Sequence, residues 1–389
     1  MEKVYSKKVE NLSESITIAI STLARELKEQ GKDILSFSAG EPDFDTPKVI
    51  KDEAIKAMDS GFTKYTAVAG IPDLLKAISL KLERDNNLKY ETNEIVVSSG
   101  AKHSLYNVFE SLINVGDEVI IPSPYWVTYP ELVTYCGGKN VFIQTTQENN
   151  FKITKEQLRN AITNKTKFLV LTTPSNPTGM VYSKEELEDI ADALKDTNIW
   201  VISDEIYEKL VYDGKFISTA SINSHMLERT ITINGLSKSV AMTGWRMGYL
   251  ATKDKNLRKL IVNLQSQSMS NINSITQKAS IAALDGRAET DIENMKIAFK
   301  KRRDLACELF SKINGLKVSK PDGAFYLFIN CESINKNSMQ FCKDLLEREG
   351  VAVVPGIGFG MDGYFRFSFA TDLDSIKKGI ERIYKFCKS

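Results

Sequence analysis

The sequence predicts an α/β protein in which a mostly parallel sheet flanked by helices is joined to a smaller α+β domain. Three observations carry this expectation. From about residue 95 to 251, short apolar runs alternate with helical patterns, as in strand–helix units that pack into a parallel sheet. Polar and aromatic residues stand just beyond the ends of those runs, where open α/β sheets place their ligand sites. Past about residue 285 the alternation stops. A chain of 389 residues exceeds one ordinary core, so we expect a large domain over 46–285 and a small one combining 1–45 with 286–389.

In chain order, residues 15–30 read as an amphipathic helix with Ile16, Ile20, Leu23, Ala24 and Leu27 on one face, closed by Gly31. A short apolar segment, 34–38, runs into a turn-rich loop, Gly40-Glu-Pro-Asp-Phe44, and Thr46-Pro47 opens the next helix. Lys64 to Gly70 is a loop before a helix carrying Leu74, Leu75, Ile78 and Leu82. Ile95 to Ser98 is a strand, and Ser99-Gly-Ala-Lys-His103 starts a helix, a form that offers free backbone N–H groups to an anion. Strands follow at 118–122, 140–144 and 167–172. The last ends in Thr173-Pro-Ser-Asn-Pro-Thr-Gly179, and Ser183 with Glu186 forms a capping box for the helix after it. Trp200 to Ser203 delivers Asp204-Glu-Ile-Tyr207, and Thr230 to Asn234 delivers Gly235 to Tyr249. A charged helix near 288–312, a strand at 323–329, a helix near 338–348, strands at 351–354 and 364–369, and a final helix complete the chain.

Composition excludes several function classes. Lys and Arg number 51 against 50 Asp and Glu, so nothing points to nucleic acid or an anionic membrane surface. No apolar run approaches the roughly 18 residues that span a bilayer, and Met1 to Lys8 lacks the apolar core of a signal peptide. The five cysteines (136, 307, 331, 342 and 387) are scattered without a Cys-x-x-Cys pair, which reads as reduced thiols in a cytoplasmic protein. Two histidines leave little for a metal site, so we expect none. Gly356, Gly358 and Gly360 follow a strand but open no helix with an acidic partner downstream, which excludes a dinucleotide fingerprint.

Gly235 to Tyr249 places Lys238 and Arg246 eight residues apart among small, turn-prone residues, a lysine nucleophile beside an anion-holding arginine. Taken singly, each candidate has an ordinary alternative. Lys238 fits a solvated surface charge, Asp204 a helix N-cap, Tyr207 a core aromatic, Trp126 a core or interface tryptophan, and Arg366 an exposed strand charge.

Together these residues resemble the class I aminotransferases of the pyridoxal-phosphate fold-type I superfamily. The resemblance runs through Gly40-Glu-Pro-Asp-Phe, Lys64-Tyr65, Ser-Pro-Tyr-Trp126, Ser-Asn176-Pro-Thr-Gly, Ser-Asp204-Glu-Ile-Tyr207, Ser-Lys238, Met-Thr-Gly-Trp-Arg246-Met-Gly-Tyr and the late Arg366, in order over essentially the whole chain. It implies pyridoxal 5′-phosphate as cofactor, with Lys238 as its Schiff-base lysine and proton shuttle. Asp204 would pair with the pyridine nitrogen, Tyr207 and Asn176 would donate to the phenolate oxygen, and Trp126 would stack on the ring. Gly100, Ala101, Lys102, Arg246 and Ser237 would hold the phosphate, joined by Tyr65 from the other subunit of a homodimer with shared sites. Arg366 would clamp the substrate α-carboxylate, assisted by Gly40.

The resemblance is nearest the bacterial branch of aspartate and aspartate/prephenate aminotransferases. Lys102 would meet the far carboxylate of a dicarboxylic substrate, with Ser15 and Thr17 as polar positions on the covering helix. Leu12-Ser-Glu-Ser15 departs from the Lys-Pro-Ser that relatives often carry there, which favours aspartate with 2-oxoglutarate over prephenate. A prephenate or aromatic aminotransferase, a pyridoxal-phosphate β-lyase, or the aminotransferase-like part of a regulator remain the alternatives, the last without an attached DNA-binding domain here.

Overall fold

The computed structural model describes residues 5–388. Positions 1–4 and 389, the outer ends of the two terminal assignments, lie outside the described residues.

A two-residue strand, Leu35–Ser36 (β1), precedes the main sheet. That sheet contains Ile95–Ser98 (β2), Glu118–Ser123 (β3), Lys139–Gln144 (β4), Thr166–Thr172 (β5), Trp200–Asp204 (β6), Thr230–Gly235 (β7) and Gly248–Ala251 (β8). Their spatial order is β2-β8-β7-β6-β5-β3-β4, and only β8 runs against its neighbours. Helices cover both faces. Ile95 and Val97 pack into one core with the helices 72–86 and 274–284, while Val96 turns to another with 101–112 and 255–268. The parallel strands therefore all point their carboxyl ends to one edge, and the loops that follow them meet there.

The remaining strands are Lys317–Val318 (β9), Tyr326–Asn330 (β10), Val351–Ala352 (β11), Val354–Pro355 (β12) and Tyr364–Ser368 (β13). An antiparallel sheet of order β12-β13-β10-β9 packs on an aromatic core that includes Phe37, Phe299, Phe310, Phe325, Phe365 and Phe367. β1 pairs in parallel with β11, so the segment just before residue 40 is held by the C-terminal part of the chain.

Three local expectations are corrected. The strand expected from Gly323 begins at Tyr326, because Gly323 makes only an isolated bridge to Val211 and Ala324 and Phe325 form a turn, with Ala324 at φ +55°. The single strand expected over 351–354 is two: β11 joins β1, and β12 joins β13 on the other side of Val353. Leu23, expected inward, is exposed, because the helix Ile16–Glu29 rests on a narrow stripe of Ile16, Ile20, Ala24 and Leu27.

Candidate active site

The strand ends enclose a cavity of about 450 Å³. Ala101 beyond β2, Trp126 beyond β3, Asn176 beyond β5, Asp204 and Tyr207 at β6, and Lys238 beyond β7 all stand around it, joined by Arg366 from β13. Positions spread over some 270 residues of sequence thus converge on one edge of one sheet.

Lys238 follows β7 in a turn and donates through Nζ to the Gly40 carbonyl. Removal of its ammonium from water lowers its pKa from 10.5 to about 8, partly offset by the Glu41 carboxylate and reinforced by the charges of Arg366 and Arg246. Asp204 closes β6 and is buried. Its Oδ2 accepts from the Tyr129 hydroxyl at 2.7 Å and its Oδ1 from the Ile206 amide at 3.3 Å. Burial raises this carboxyl to about 6, against the opposing pull of those two hydrogen bonds and the Lys238 charge. The carboxylate is therefore anionic at neutral pH and has a cationic partner to gain.

Arg366 is 2% exposed, which removes the reading of a surface strand charge. Nη1 donates to Asn176 Oδ1 at 2.9 Å and Nη2 to the Ser38 carbonyl at 2.8 Å. Its Nε is buried without a hydrogen-bond partner. Because Asn176 Oδ1 is engaged in this way, the other end of that amide is left to act as a donor.

Arg246 sits at φ +57° and donates to the Thr243 carbonyl at 2.8 Å. Gly100 (φ +81°, ψ +161°) caps the helix Ala101–Leu112, and a β-carbon there would lie 2.6 Å from Arg246 Nη2. A guanidinium is thus laid across bare backbone at a helix N-terminus, the arrangement in which N–H groups and a fixed charge hold an anion. Lys102 Nζ lies 4.9 Å from the Trp126 ring centroid, and burial with the nearby Arg246 charge lowers its pKa. Trp126 in turn packs edge-on against Tyr129, with ring centroids 5.4 Å apart.

Ala101, Lys102, Gly40, Ser237 and Thr17 also line the cavity. Three expected positions do not: Gly100 lies one residue before the lining residue Ala101 and is packed against Arg246. Ser15 stands at the N-cap of the helix 16–29, outside the lining, and Tyr65 is 90% exposed on this chain's surface. Several lining residues had no sequence signal strong enough to single them out: Ser21, Glu41, Tyr129, Thr243 and Tyr326. Ser21 is one helical turn beyond Thr17, so helical spacing could have pointed to it, while Tyr129 sits in the first turn of the helix Thr128–Tyr135 that follows Trp126.

The set fits pyridoxal phosphate. The cavity offers a desolvated lysine, a buried carboxylate, a bare-backbone anion cradle and a buried guanidinium with an unused N–H. Among the described residues no group of histidine, cysteine, aspartate or glutamate side chains could hold a metal ion, and no helix is long and apolar enough to cross a membrane.

The profile of the family described as aminotransferase class I and II matches residues 32–383. The chain is 48% identical to an aspartate aminotransferase of Bacillus sp. (strain YM-2), with both proteins covered in full. It is 45% identical to a probable aspartate/prephenate aminotransferase of Rickettsia felis, covering 99% of this chain and 97% of the relative. Among solved structures, the aspartate aminotransferase of Rhizobium meliloti superposes with a TM-score of 0.96 at 39% identity, over 100% of this chain and 99% of that one. That of Thermus thermophilus with maleate gives 0.95 at 40% identity, over 99% and 100%.

Proposed function

The chain belongs to the class I and II aminotransferases, and from that premise we propose that it moves the amino group of L-aspartate to 2-oxoglutarate, giving oxaloacetate and L-glutamate. Its cofactor is pyridoxal 5′-phosphate, which when bound supplies an electron sink for the bond broken at the substrate α-carbon. The observation that carries the reading is one cavity holding Lys238, Asp204, Arg246 and Arg366.

Each residue has a task that its surroundings suit. With its pKa lowered to about 8, Lys238 spends part of its time as a free amine near neutral pH, able to attach the cofactor and to carry a proton at the α-carbon. Asp204 would hold the protonated ring nitrogen, Asn176 Nδ2 and the Tyr207 hydroxyl would donate to the ring oxygen, and Trp126 would cover the ring face. The amides of Gly100, Ala101 and Lys102, with Ser237 and Arg246, would hold the phosphate. Arg366 would take the α-carboxylate with two donors in one plane, near Gly40. Lys102 would meet the second carboxylate of aspartate, with Thr17 on the covering helix. Burial supports Lys102 in this role, because a partly desolvated ammonium gains most from an anionic partner.

Tyr65, held away from its own cavity, would reach the phosphate in a partner's site within a homodimer. All five cysteines are free, which suits the reducing cytoplasm.

A panel of amino donors against 2-oxoglutarate, with prephenate as an alternative acceptor, tests the assignment. Aspartate should be the best donor, with parallel double-reciprocal lines; intersecting lines, or pyruvate and ammonia released without a keto acid, would count against it. In Lys238→Ala, borohydride should fix no cofactor mass on the protein.

A further inference from the structure

Tyr326 opens β10 and carries no sequence motif, yet it touches both halves of the site. Its hydroxyl lies 2.9 Å from that of Tyr207, and its ring lies beneath the Arg366 guanidinium, 4.4 Å from centroid to Cζ. The side chain is fully buried and lines the cavity.

We propose that Tyr326 is a positioning residue with two separable parts: its hydroxyl donates to the Tyr207 oxygen and so turns the Tyr207 proton into the cavity, and its ring face holds the Arg366 guanidinium in place for the substrate α-carboxylate. The inference rests on the aminotransferase reading above.

A phenol has one proton, so only one of the two hydroxyls donates in their shared hydrogen bond. Were Tyr207 the donor, it would face the cavity with lone pairs alone and could not serve an oxygen of the cofactor. With Tyr326 as donor, the two O–H groups run in series, and a hydrogen bond received at oxygen makes the Tyr207 O–H the stronger donor. Burial raises both phenols, and the Arg366 charge draws both downward, but Tyr207 is pushed up further, so Tyr326, with Arg366 over its ring, is the more acidic of the two and the better donor. The charged and titratable groups facing Tyr207 are Tyr326, Arg366 and Asp204, with Lys238 and Glu41 on the same cavity.

The backbone keeps Tyr326 in register. Gly323 N donates to the Gly179 carbonyl at 2.8 Å, and Ala324 N to the Leu210 carbonyl at 2.9 Å. The Tyr212 hydroxyl donates to the Ala324 carbonyl. A β-carbon on Gly179 would meet the Gly323 oxygen at 2.6 Å, and one on Gly323 would meet the Leu210 oxygen at the same distance. The turn before Tyr326 is thus seated directly on the loops that carry Asn176 and Tyr207.

Two variants of the pyridoxal-phosphate-loaded protein separate the parts. Tyr326→Phe removes one oxygen and keeps the ring; the pH midpoint of the visible absorbance change should rise by about half a unit, while succinate binds within about twofold of the parent. Tyr326→Leu removes the ring, and the dissociation constant of succinate, measured calorimetrically, should rise about tenfold. A midpoint moved by less than about 0.1 unit in Tyr326→Phe overturns the hydroxyl part, and unchanged succinate binding in Tyr326→Leu overturns the ring part. Tyr326→Phe is nearly isosteric, so it decides the first part even if the leucine variant does not fold. If the parent protein itself forms no visible band with pyridoxal phosphate, the functional reading has failed; a parent band that stays put in Tyr326→Phe defeats this inference alone.

Discussion

At the end of β6 the Asp204 carboxyl is out of water and raised to about 6 from the 3.8 of an exposed aspartate. The folded apoprotein therefore keeps that proton to higher pH than the unfolded chain does. The stability this brings is present near pH 4 and is lost as pH rises through about 6, a span worth about 3 kcal/mol. Asp204→Asn lacks the term, so the stability difference between parent and variant, read from urea melts of apoprotein, should shift by about that amount between pH 4 and pH 7. A difference that stays flat with pH would show that Asp204 is not buried as described. Asp204, Lys238 and Arg366 could all be nominated from sequence because their neighbours form dense motifs. Tyr326 could not: it reads as one more strand aromatic, and only the 2.9 Å approach of Tyr207 marks it out.

The helix Ala101–Leu112 shows how an element can depend on one residue before its start. Gly100 adopts φ +81° with ψ +161°, a region essentially closed to residues with a β-carbon, and the position a β-carbon would take faces Arg246. Gly100→Ala should lower stability by about 2 kcal/mol and push the guanidinium aside. Apoprotein titrated with pyridoxal phosphate should then bind it at least about tenfold more weakly. Unchanged affinity would remove Arg246 and this helix end from the phosphate site. Element legibility followed burial. The amphipathic helices 16–29 and 72–86 and the strands β2 and β5–β7 have clear periods or apolar runs. The helix Ser274–Leu284 gives little signal, since Thr276, Gln277, Ala279, Ser280, Ala282 and Ala283 are all buried around its circumference. Likewise β8 looks like any strand of the alternation, and nothing local tells that it inserts antiparallel between β2 and β7.

For the molecule as a whole, the site needs two parts of the chain to close and, on our reading, two chains. Arg366 reaches the Ser38 carbonyl across 328 positions, held by the pairing of β1 with β11. On that reading Tyr65, 90% exposed, serves a neighbour's site. Chains carrying Lys238→Ala and Tyr65→Ala, each impaired alone, should regain about one quarter of parental activity when co-expressed, because half of randomly paired dimers carry one intact site of two. Absence of recovery would mean that the sites are not shared.

The sequence by itself determined the alternation of strands and helices, the motif residues at the strand ends and hence the family, because these are short-range patterns of polarity and turn chemistry. Tertiary structure decided what depends on long-range approach. It divided residues 351–355 between two sheets and set Gly100 against Arg246. It also left Ser15 outside the cavity and brought Tyr326 between Tyr207 and Arg366. Such contacts are set by how packed layers meet in space, and no spacing along the chain encodes them.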